Sequence, residues 1–303
     1  MMIVEQTLNA LLLGAMYALV AVGFTLFFGV LDLVNFAHGE MAMLAAFTAL
    51  SLFGLALGRT TDVPTGSLWA LSAVAILAVG GIGVLTERVA LRRLRAAPAL
   101  LMLLATVGVS IVFREAVRLL YPAGSNPQVF PSLFPKGTVH LGPFGVPYDT
   151  LAILGVGWLL IVAADRFINR TRIGAMIRAV AQDREAALMM GIDLDRTIAT
   201  TFFLGSSLGA VAGILNGAFY GIVRFDMGLL LAIKGFSAAV VGGLGSFYGA
   251  LVGSLVLAAV ETLTVAALPG GSQLRDVTSF LVVIGFLVFR PNGILGERSV
   301  EKV

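Results

Sequence analysis

The chain contains no cysteine and very little charge. Without Cys, disulfides, thiolate catalysis and cysteine-based metal sites are excluded. Charged residues make up 12% of the 303 residues, about half of the share that soluble domains carry. So few charges cannot cover a water-facing surface, and 58% of the residues are hydrophobic. We therefore predict that the solvent around most of the chain is membrane lipid.

Motifs for nucleotide chemistry and hydrolysis are also missing. The chain has no Gly-x-x-x-x-Gly-Lys-Ser/Thr phosphate loop, no His-Glu-x-x-His and no Gly-x-Ser-x-Gly. Two histidines, His38 and His140, are too few for a histidine-rich metal site. The net charge of +3 comes from positive residues confined to certain loops, which indicates membrane topology rather than nucleic-acid binding. We predict neither an enzyme nor a cofactor.

Apolar stretches of roughly the 20 residues needed to cross a bilayer recur along the chain. They predict a single all-α domain over residues 1–303, a polytopic helical bundle of eight or nine membrane segments. The first stretch has no Lys or Arg before it, which favours a retained span over a secretory signal. The stretches are Gln6–Leu31, Met41–Gly58, Val63–Thr86, Ala96–Phe113, Thr150–Ala164 (extending back through Val146), Thr197–Val223, Met227–Leu268 and Val277–Phe289.

The stretch Met227–Leu268 is too long for one span and too short for three. Gly242, Gly243 and Gly245 interrupt it. We predict a broken or re-entrant piece followed by a full helix. With this irregular segment we favour nine crossings, which place the two ends of the chain on opposite sides.

Positive residues concentrate in three places, and short cytoplasmic loops are the ones enriched in Lys and Arg. We therefore predict that the N-terminus and the Pro/Gly-rich loop Tyr121–Asp149 lie outside and that the C-terminus is cytoplasmic. The clustered residues are Arg88, Arg92, Arg93, Arg95, Arg166, Arg170, Arg172, Arg178, Arg184, Arg196, Arg290, Arg298 and Lys302. The other loops carry little more than Arg59, Lys136, Arg224 and Arg275.

Glycines recur every four residues along one predicted helix. In lipid, small residues let helix backbones approach closely and so promote helix association. The stripe favours a tight helix pair within the subunit over a dimer seam. Its members are Gly205, Gly209, Gly213, Gly217 and Gly221.

A polar break, Asp32–Glu40, separates the first two apolar stretches. One interpretation is an irregular segment that lines a translocation pathway through Asn35, Phe36, His38 and Glu40, because irregular backbone at depth is tolerated only where it is buried or wetted. The other is an ordinary cytoplasmic turn with His38 and Glu40 in water, which composition alone favours. A similar polar break follows Asp226 in the second half of the chain, which faintly suggests an internal repeat.

Charges inside apolar stretches are candidates for functional residues. Lys234 is the deepest, and with Phe236 it joins the candidate pathway. It either lines the route or neutralises a buried carboxylate such as Glu261. For the charges near helix ends we favour local pairing. These are Glu87, Arg114, Glu115 and Arg118.

The segment from Thr171 to Arg196 is basic and too polar to span the membrane. Apolar residues recur in it at helical spacing, interrupted by the polar run Gln182-Asp183-Arg184-Glu185: Met176, Ala179, Val180, Ala187 and Leu188. It is either an amphipathic helix resting on anionic lipid or a docking helix for a cytoplasmic partner.

Four sequence segments, in this order, resemble the permease subunits of branched-chain amino acid ABC importers over essentially the whole chain. They are Asn35-Phe36-Ala37-His38-Gly39-Glu40, Arg184-Glu185-Ala186-Ala187 with Gly191-Ile192, Lys234-Gly235-Phe236 leading to Gly242-Gly243-Leu244-Gly245-Ser246, and Arg290-Pro291-Asn292-Gly293-Ile294-Leu295-Gly296.

The resemblance implies a bacterial inner-membrane subunit that works by alternating access. Its expected partners are a second related permease, two cytoplasmic ATPase subunits and a periplasmic solute-binding protein. The segment Arg184–Gly191, with Arg184, Glu185, Ala186, Ala187 and Gly191, would be the coupling helix. The solute would be a branched-chain or related amino acid, and the route would be mostly apolar. A secondary transporter or channel for urea, an amide or an aromatic carboxylate is the alternative.

Overall fold

The structure, a computed structural model, describes residues 2–57, 65–95, 97–134, 137–141 and 144–296. Within these residues the chain is mainly helical, as the sequence predicts. The helices are α1 Met2–Leu31, α2 His38–Leu57, α3 Thr65–Thr86, α4 Ala99–Leu120, α5 Tyr148–Arg170, α6 Arg172–Gln182, α7 Arg184–Met189, α8 Leu194–Tyr220, α9 Met227–Gly242, α10 Phe247–Ala267 and α11 Gly271–Phe289. The strands are β1 Gln128–Val129, β2 Thr138–Leu141, β3 Phe144–Pro147 and β4 Ile222–Val223.

In the described part of the chain, 8 helices are long and apolar enough to cross a membrane: α1 to α5, α8, α10 and α11. α9 is apolar but has only 16 residues. At 1.5 Å per residue it is about 24 Å long, shorter than a hydrocarbon core of roughly 30 Å. Gly243 (φ 111°) and Gly245 (φ 90°) end the helical conformation after Gly242, and α10 begins at Phe247. The predicted helical bundle of eight or nine segments, with one irregular segment after Met227, is confirmed.

α1 is the central helix of the bundle. It packs against α5, α8, α9 and α10. Of its apolar window, 89% is buried, against 6% for α11. Large side chains along it, such as Leu12, Met16 and Phe24, are almost completely shielded. The first hydrophobic stretch is therefore part of the packed bundle.

The predicted basic loops meet at one end of the bundle, here called the basic end. Arg95, which follows α3, forms an ion pair of 2.6 Å with Asp195 at the start of α8. Arg184 in α7 pairs with Asp32, just after α1, at 3.2 Å. The segment after α11 returns to the end of α9 through backbone hydrogen bonds. Ion pairs and hydrogen bonds thus join the segments that the sequence predicts to be cytoplasmic.

The other end of the bundle, here called the opposite end, carries the strands. β1 pairs with β4 in antiparallel register, so the long loop after α4 is joined to the segment between α8 and α9. β2 pairs with β3 within the same loop. The loop Tyr121–Asp149 therefore contains two short pairings rather than continuous irregular chain.

One helix boundary differs from the prediction in a way that affects the site. α11 begins at Gly271, so Arg275 and Asp276 lie within the helix instead of preceding a span at Val277. A hydropathy criterion excludes Arg275 and Asp276 from the predicted span. In the structure both lie in α11, where they pair with charged residues on α9 and α10. The predicted span ends at Gly58, Val63 and Ala96 lie outside the described residues, as do Arg59, Lys136, Arg298 and Lys302.

Candidate translocation and coupling sites

The segment between α1 and α2 folds into the protein interior. The Phe36 N–H donates to Thr106 Oγ1 of α4 at 3.2 Å. Asn35, His38 and Glu40 are 1%, 0% and 1% exposed. The solvated-turn interpretation is therefore wrong, because these side chains lie among the helices rather than in water.

His38 packs between two helices. Its ring lies 4.9 Å from the Phe24 ring and 5.0 Å from the Phe27 ring, both in edge-on geometry. Its Nε2 is 3.1 Å from the Val20 carbonyl oxygen, so this nitrogen carries the hydrogen that it donates. A Cβ at Gly209 of α8 would come within 2.8 Å of the ring. Gly209 therefore leaves space for the His38 imidazole, which connects α2 to α1 through its hydrogen bond to Val20 and its contacts with Phe24 and Phe27.

The two polar breaks of the sequence meet where α2 and α9 begin. A Cβ at Gly39 would collide with the carbonyl oxygen of Gly228, and a Cβ at Gly228 would collide with the Glu40 carboxylate. Ser110 of α4 donates to Glu40 Oε1 at 3.2 Å. Only glycines permit this close approach, so the fold joins segments that are nearly 190 residues apart in the sequence.

Aromatic rings continue this contact along α9. Phe236 lies 6.1 Å from Phe36 and 5.8 Å from Phe24, measured between ring centroids. It also lines a cavity of about 420 Å³ in the half of the bundle nearer the basic end, with Phe28 and Asn292. The contact between Phe36 and Phe236 thus joins the broken segment to α9 next to that cavity.

Lys234 of α9 is the centre of a buried charge cluster. Its Nζ lies 3.0 Å from Glu261 Oε1 of α10, which confirms the expected neutralisation of this carboxylate. Tyr17 of α1 donates to Glu261 Oε2 at 2.8 Å, and Ser279 of α11 donates to Oε1 at 3.2 Å. Three helices, α1, α9 and α11, therefore supply partners for one buried carboxylate on α10.

A second ion pair lies beside the first and is more accessible. Asp276 Oδ1 is 2.9 Å from Lys234 Nζ, and Arg275 Nε is 3.7 Å from Glu261. The side chains of Asp276 and Arg275 are 47% and 33% exposed, whereas those of Lys234 and Glu261 are 8% and 0% exposed. The two cations and two anions carry no net charge together.

The accessible pair faces a cavity of about 200 Å³ in the half of the bundle nearer the opposite end. Its lining residues are Tyr17, Asn216, Tyr220, Met227, Leu230, Leu231, Lys234, Arg275 and Asp276. Tyr17, Arg275 and Asp276 were not among the sequence-predicted site residues. Gly270 is the N-cap residue of α11, and glycine occurs at helix N-caps, so a helix that begins there would have included both charges.

The basic segment Thr171–Arg196 forms two short helices before α8 rather than one amphipathic helix. Thr171 Oγ1 accepts from the Gly174 N–H at 3.0 Å and caps α6. Asp183 Oδ1 accepts from the Glu185 and Ala186 N–H groups at 2.9 and 3.0 Å and caps α7. Asp183 therefore ends one helix and starts the next.

α7 projects an apolar tip at the basic end. Leu188, Met189 and Met190 are 55%, 87% and 82% exposed, whereas Ala187 is buried against the bundle. Glu185 and Ala186 are exposed, and Gly191, with a φ of 81°, turns the chain towards α8. Of the predicted apolar stripe, Val180 and Ala187 face inward and Leu188 faces outward.

The glycine stripe of α8 packs within the chain. A Cβ at Gly205 would lie 2.6 Å from the Phe27 ring, and one at Gly217 would lie 2.8 Å from Val223. At Gly213 it would collide with the backbone of Ala42. Gly209 accommodates His38, as described above. Gly221 has a different role, because it ends α8 with a φ of 68° and nothing lies near its missing Cβ.

The fold, with eight helices long and apolar enough to cross a membrane in its described part, defines a multi-pass membrane protein. The chain belongs to the family described as the permease component of the branched-chain amino acid transport system, whose model matches residues 6–288. It is 37% identical over 302 residues to the high-affinity branched-chain amino acid transport system permease protein BraD of Pseudomonas aeruginosa, covering 99% of this chain and 97% of BraD. It is 38% identical over 307 residues to LivH of Escherichia coli K12, a permease protein with the same description, again covering 99% and 97%.

Proposed function

We propose that this chain is the permease subunit of an ATP-driven importer that moves branched-chain or related amino acids into the cytoplasm. Its relatives carry the name of that transport system, and they match the chain over nearly its full length. The proposed partners are a second related permease, two cytoplasmic ATPase subunits and a periplasmic solute-binding protein. In this arrangement the basic end is cytoplasmic and the N-terminus lies outside, in the bacterial inner membrane.

The exposed tip of α7 is the observation that carries the coupling role. Leu188, Met189 and Met190 extend an apolar surface beyond a basic helix pair, which suits the groove of a cytoplasmic partner. Behind the tip, Arg184 is joined to Asp32 at the end of α1, the central helix. A movement of α7 would therefore reach the middle of the bundle directly. The coupling residues proposed are Arg184, Glu185, Ala186, Ala187 and Gly191.

The solute route is proposed to follow α9. Lys234 lines the cavity nearer the opposite end and Phe236 the cavity nearer the basic end. Phe36 contacts Phe236 between them. Asn35 accepts from the Ala37 N–H within the broken segment, His38 holds the start of α2 against α1, and Glu40 holds it against α4 and α9. Together these six residues form the proposed pathway, which changes its accessibility as the helices rock.

Two substitutions on α7 test the coupling role in proteoliposomes that contain the complete importer complex. Glu185→Lys and Met189→Glu are expected to lower leucine uptake per ATP hydrolysed at least tenfold while the protein stays folded, because they alter only exposed positions. Arg93→Gln is the matched control for Met189→Glu, because it makes the same change in net charge at an exposed position elsewhere on the basic end.

An unchanged ratio of uptake to hydrolysis in both α7 variants would contradict the coupling role. Leucine uptake that continues when ATP hydrolysis is blocked would instead support the alternative function, a secondary transporter or channel.

A further inference from the structure

We propose that the cavity beside Arg275 and Asp276 is a subsite for a zwitterionic α-amino acid with an aliphatic side chain. The inference rests on the proposed function, since it names a place on the route where the solute is held. Its volume of about 200 Å³ lies below the range of cavities that hold drug-sized ligands, so it suits a small solute.

The charges that reach the cavity match the two ends of an amino acid. Arg275 presents a planar guanidinium that binds carboxylates in fork geometry, and Asp276 presents a carboxylate that accepts from an ammonium group. These two side chains are the accessible members of the cluster, at 33% and 47% exposure. An amino acid that enters the membrane must have both of its charges met, because an unpaired charge there is costly.

The buried pair keeps the accessible pair in place. Lys234 Nζ lies 2.9 Å from Asp276, and Glu261 lies 3.7 Å from Arg275. Glu261 is itself held by Tyr17 at 2.8 Å. Because these contacts are made within the protein itself, the charges of the site are held in position by their own partners.

The charge balance selects for a solute without net charge. Two cations and two anions already compensate one another in the cluster. A zwitterion adds one charge of each sign, so the balance is kept. An amine or a carboxylic acid with a single charge would leave one charge unmatched. The apolar wall beside the cluster, formed by Met227, Leu230 and Leu231, offers the contact surface for an aliphatic side chain.

The absence of native cysteine allows a direct test. Leu230→Cys places a thiol on the cavity wall without changing any charge, and its side chain is 55% exposed. In membranes that contain the assembled permease, a small water-soluble thiol reagent should label this position. L-leucine at millimolar concentration should slow the labelling at least threefold, whereas L-leucinamide and 4-methylpentanoate, which each lack one charge, should not.

Two charge variants in the Leu230→Cys background locate the effect. Asp276→Asn should abolish protection by leucine. Asp226→Asn, which removes an acidic group in the loop before α9 that pairs with Arg224 instead, should leave protection intact. Retained protection in Asp276→Asn, or equal protection by leucinamide, would overturn the zwitterion subsite. Failure of the reagent to label the position would show that this wall faces lipid and would also overturn it.

The outcomes separate this inference from the proposed function. If leucine is transported but never protects Leu230→Cys, the subsite is wrong and the importer function stands. If leucine is not transported but protects in an Asp276-dependent manner, the subsite stands and the proposed transport function fails.

Discussion

At the scale of single residues, the most costly feature of this protein is a lysine ammonium group inside a helix bundle. Lys234 and Glu261 are almost fully shielded and lie 3.0 Å apart. Their attraction offsets the loss of water because Tyr17 and Ser279 also donate to Glu261 and because Asp276 lies 2.9 Å from Lys234. Each partner is therefore expensive to remove alone.

We expect Glu261→Gln to lower the free energy of unfolding by about 3–5 kcal/mol, because Lys234 then keeps a buried charge with a weaker partner set. The double variant Lys234→Met/Glu261→Gln should recover most of this loss. Thermal unfolding in detergent measures both. Glu115→Gln is the control, since the accessible pair with Arg118 is worth less than about 1 kcal/mol. A double variant no more stable than the single one would contradict the pairing argument.

A second prediction at the residue scale concerns glycine in α8. Gly213→Ala would drive a methyl group into the backbone of Ala42, so we expect a loss of about 1–3 kcal/mol from overpacking. Gly155→Ala in α5 is the matched control, because nothing lies near its missing Cβ. There alanine should be neutral or stabilise by up to about 1 kcal/mol. The test compares the midpoints of thermal unfolding of the two variants with that of the unsubstituted protein. Equal effects at both positions would refute close packing at Gly213.

At the scale of elements, two broken segments organise the bundle. The segment before α2 could be recognised from Asn35 to Glu40, and the segment after Met227 from its glycines. That they touch through Gly39 and Gly228 could not be predicted, since neither pattern specifies a partner. The contact depends on the two glycines, because a side chain at either position would keep the start of α2 away from the start of α9.

The basic helix pair shows a similar division. The sequence predicts a helical, basic, non-spanning segment, and both helices are present. The sequence shows that a polar run around Asp183 interrupts the apolar stripe, but not that one helix ends and another begins there, because an Asp in such a run is equally compatible with a solvated position on one helix. Its carboxylate caps α7 and turns that helix so that Leu188 and Met189 project from the bundle.

At the scale of the whole molecule, the topology makes a prediction that the cysteine-free chain can test cleanly. Met189→Cys at the basic end and Val129→Cys at the opposite end are 87% and 81% exposed positions. A membrane-impermeant maleimide should label position 129 in intact spheroplasts and position 189 only in inside-out vesicles. The reverse pattern would invert the proposed orientation and remove the cytoplasmic coupling site. Labelling of both positions from one side would contradict the crossing of the membrane by α5, which lies between them in the sequence.

Composition and order of residues by themselves indicated that this chain lies in lipid, that it has eight or nine membrane segments, and which loops carry the positive charge. These properties depend on local hydropathy and on charge counts, which need no partner. Only the tertiary structure decided that His38 and Glu40 are buried, that Arg275 and Asp276 join Lys234, and that a cavity lies beside them. The physical reason is that burial and pairing depend on contacts between helices distant in sequence, which hydropathy does not encode.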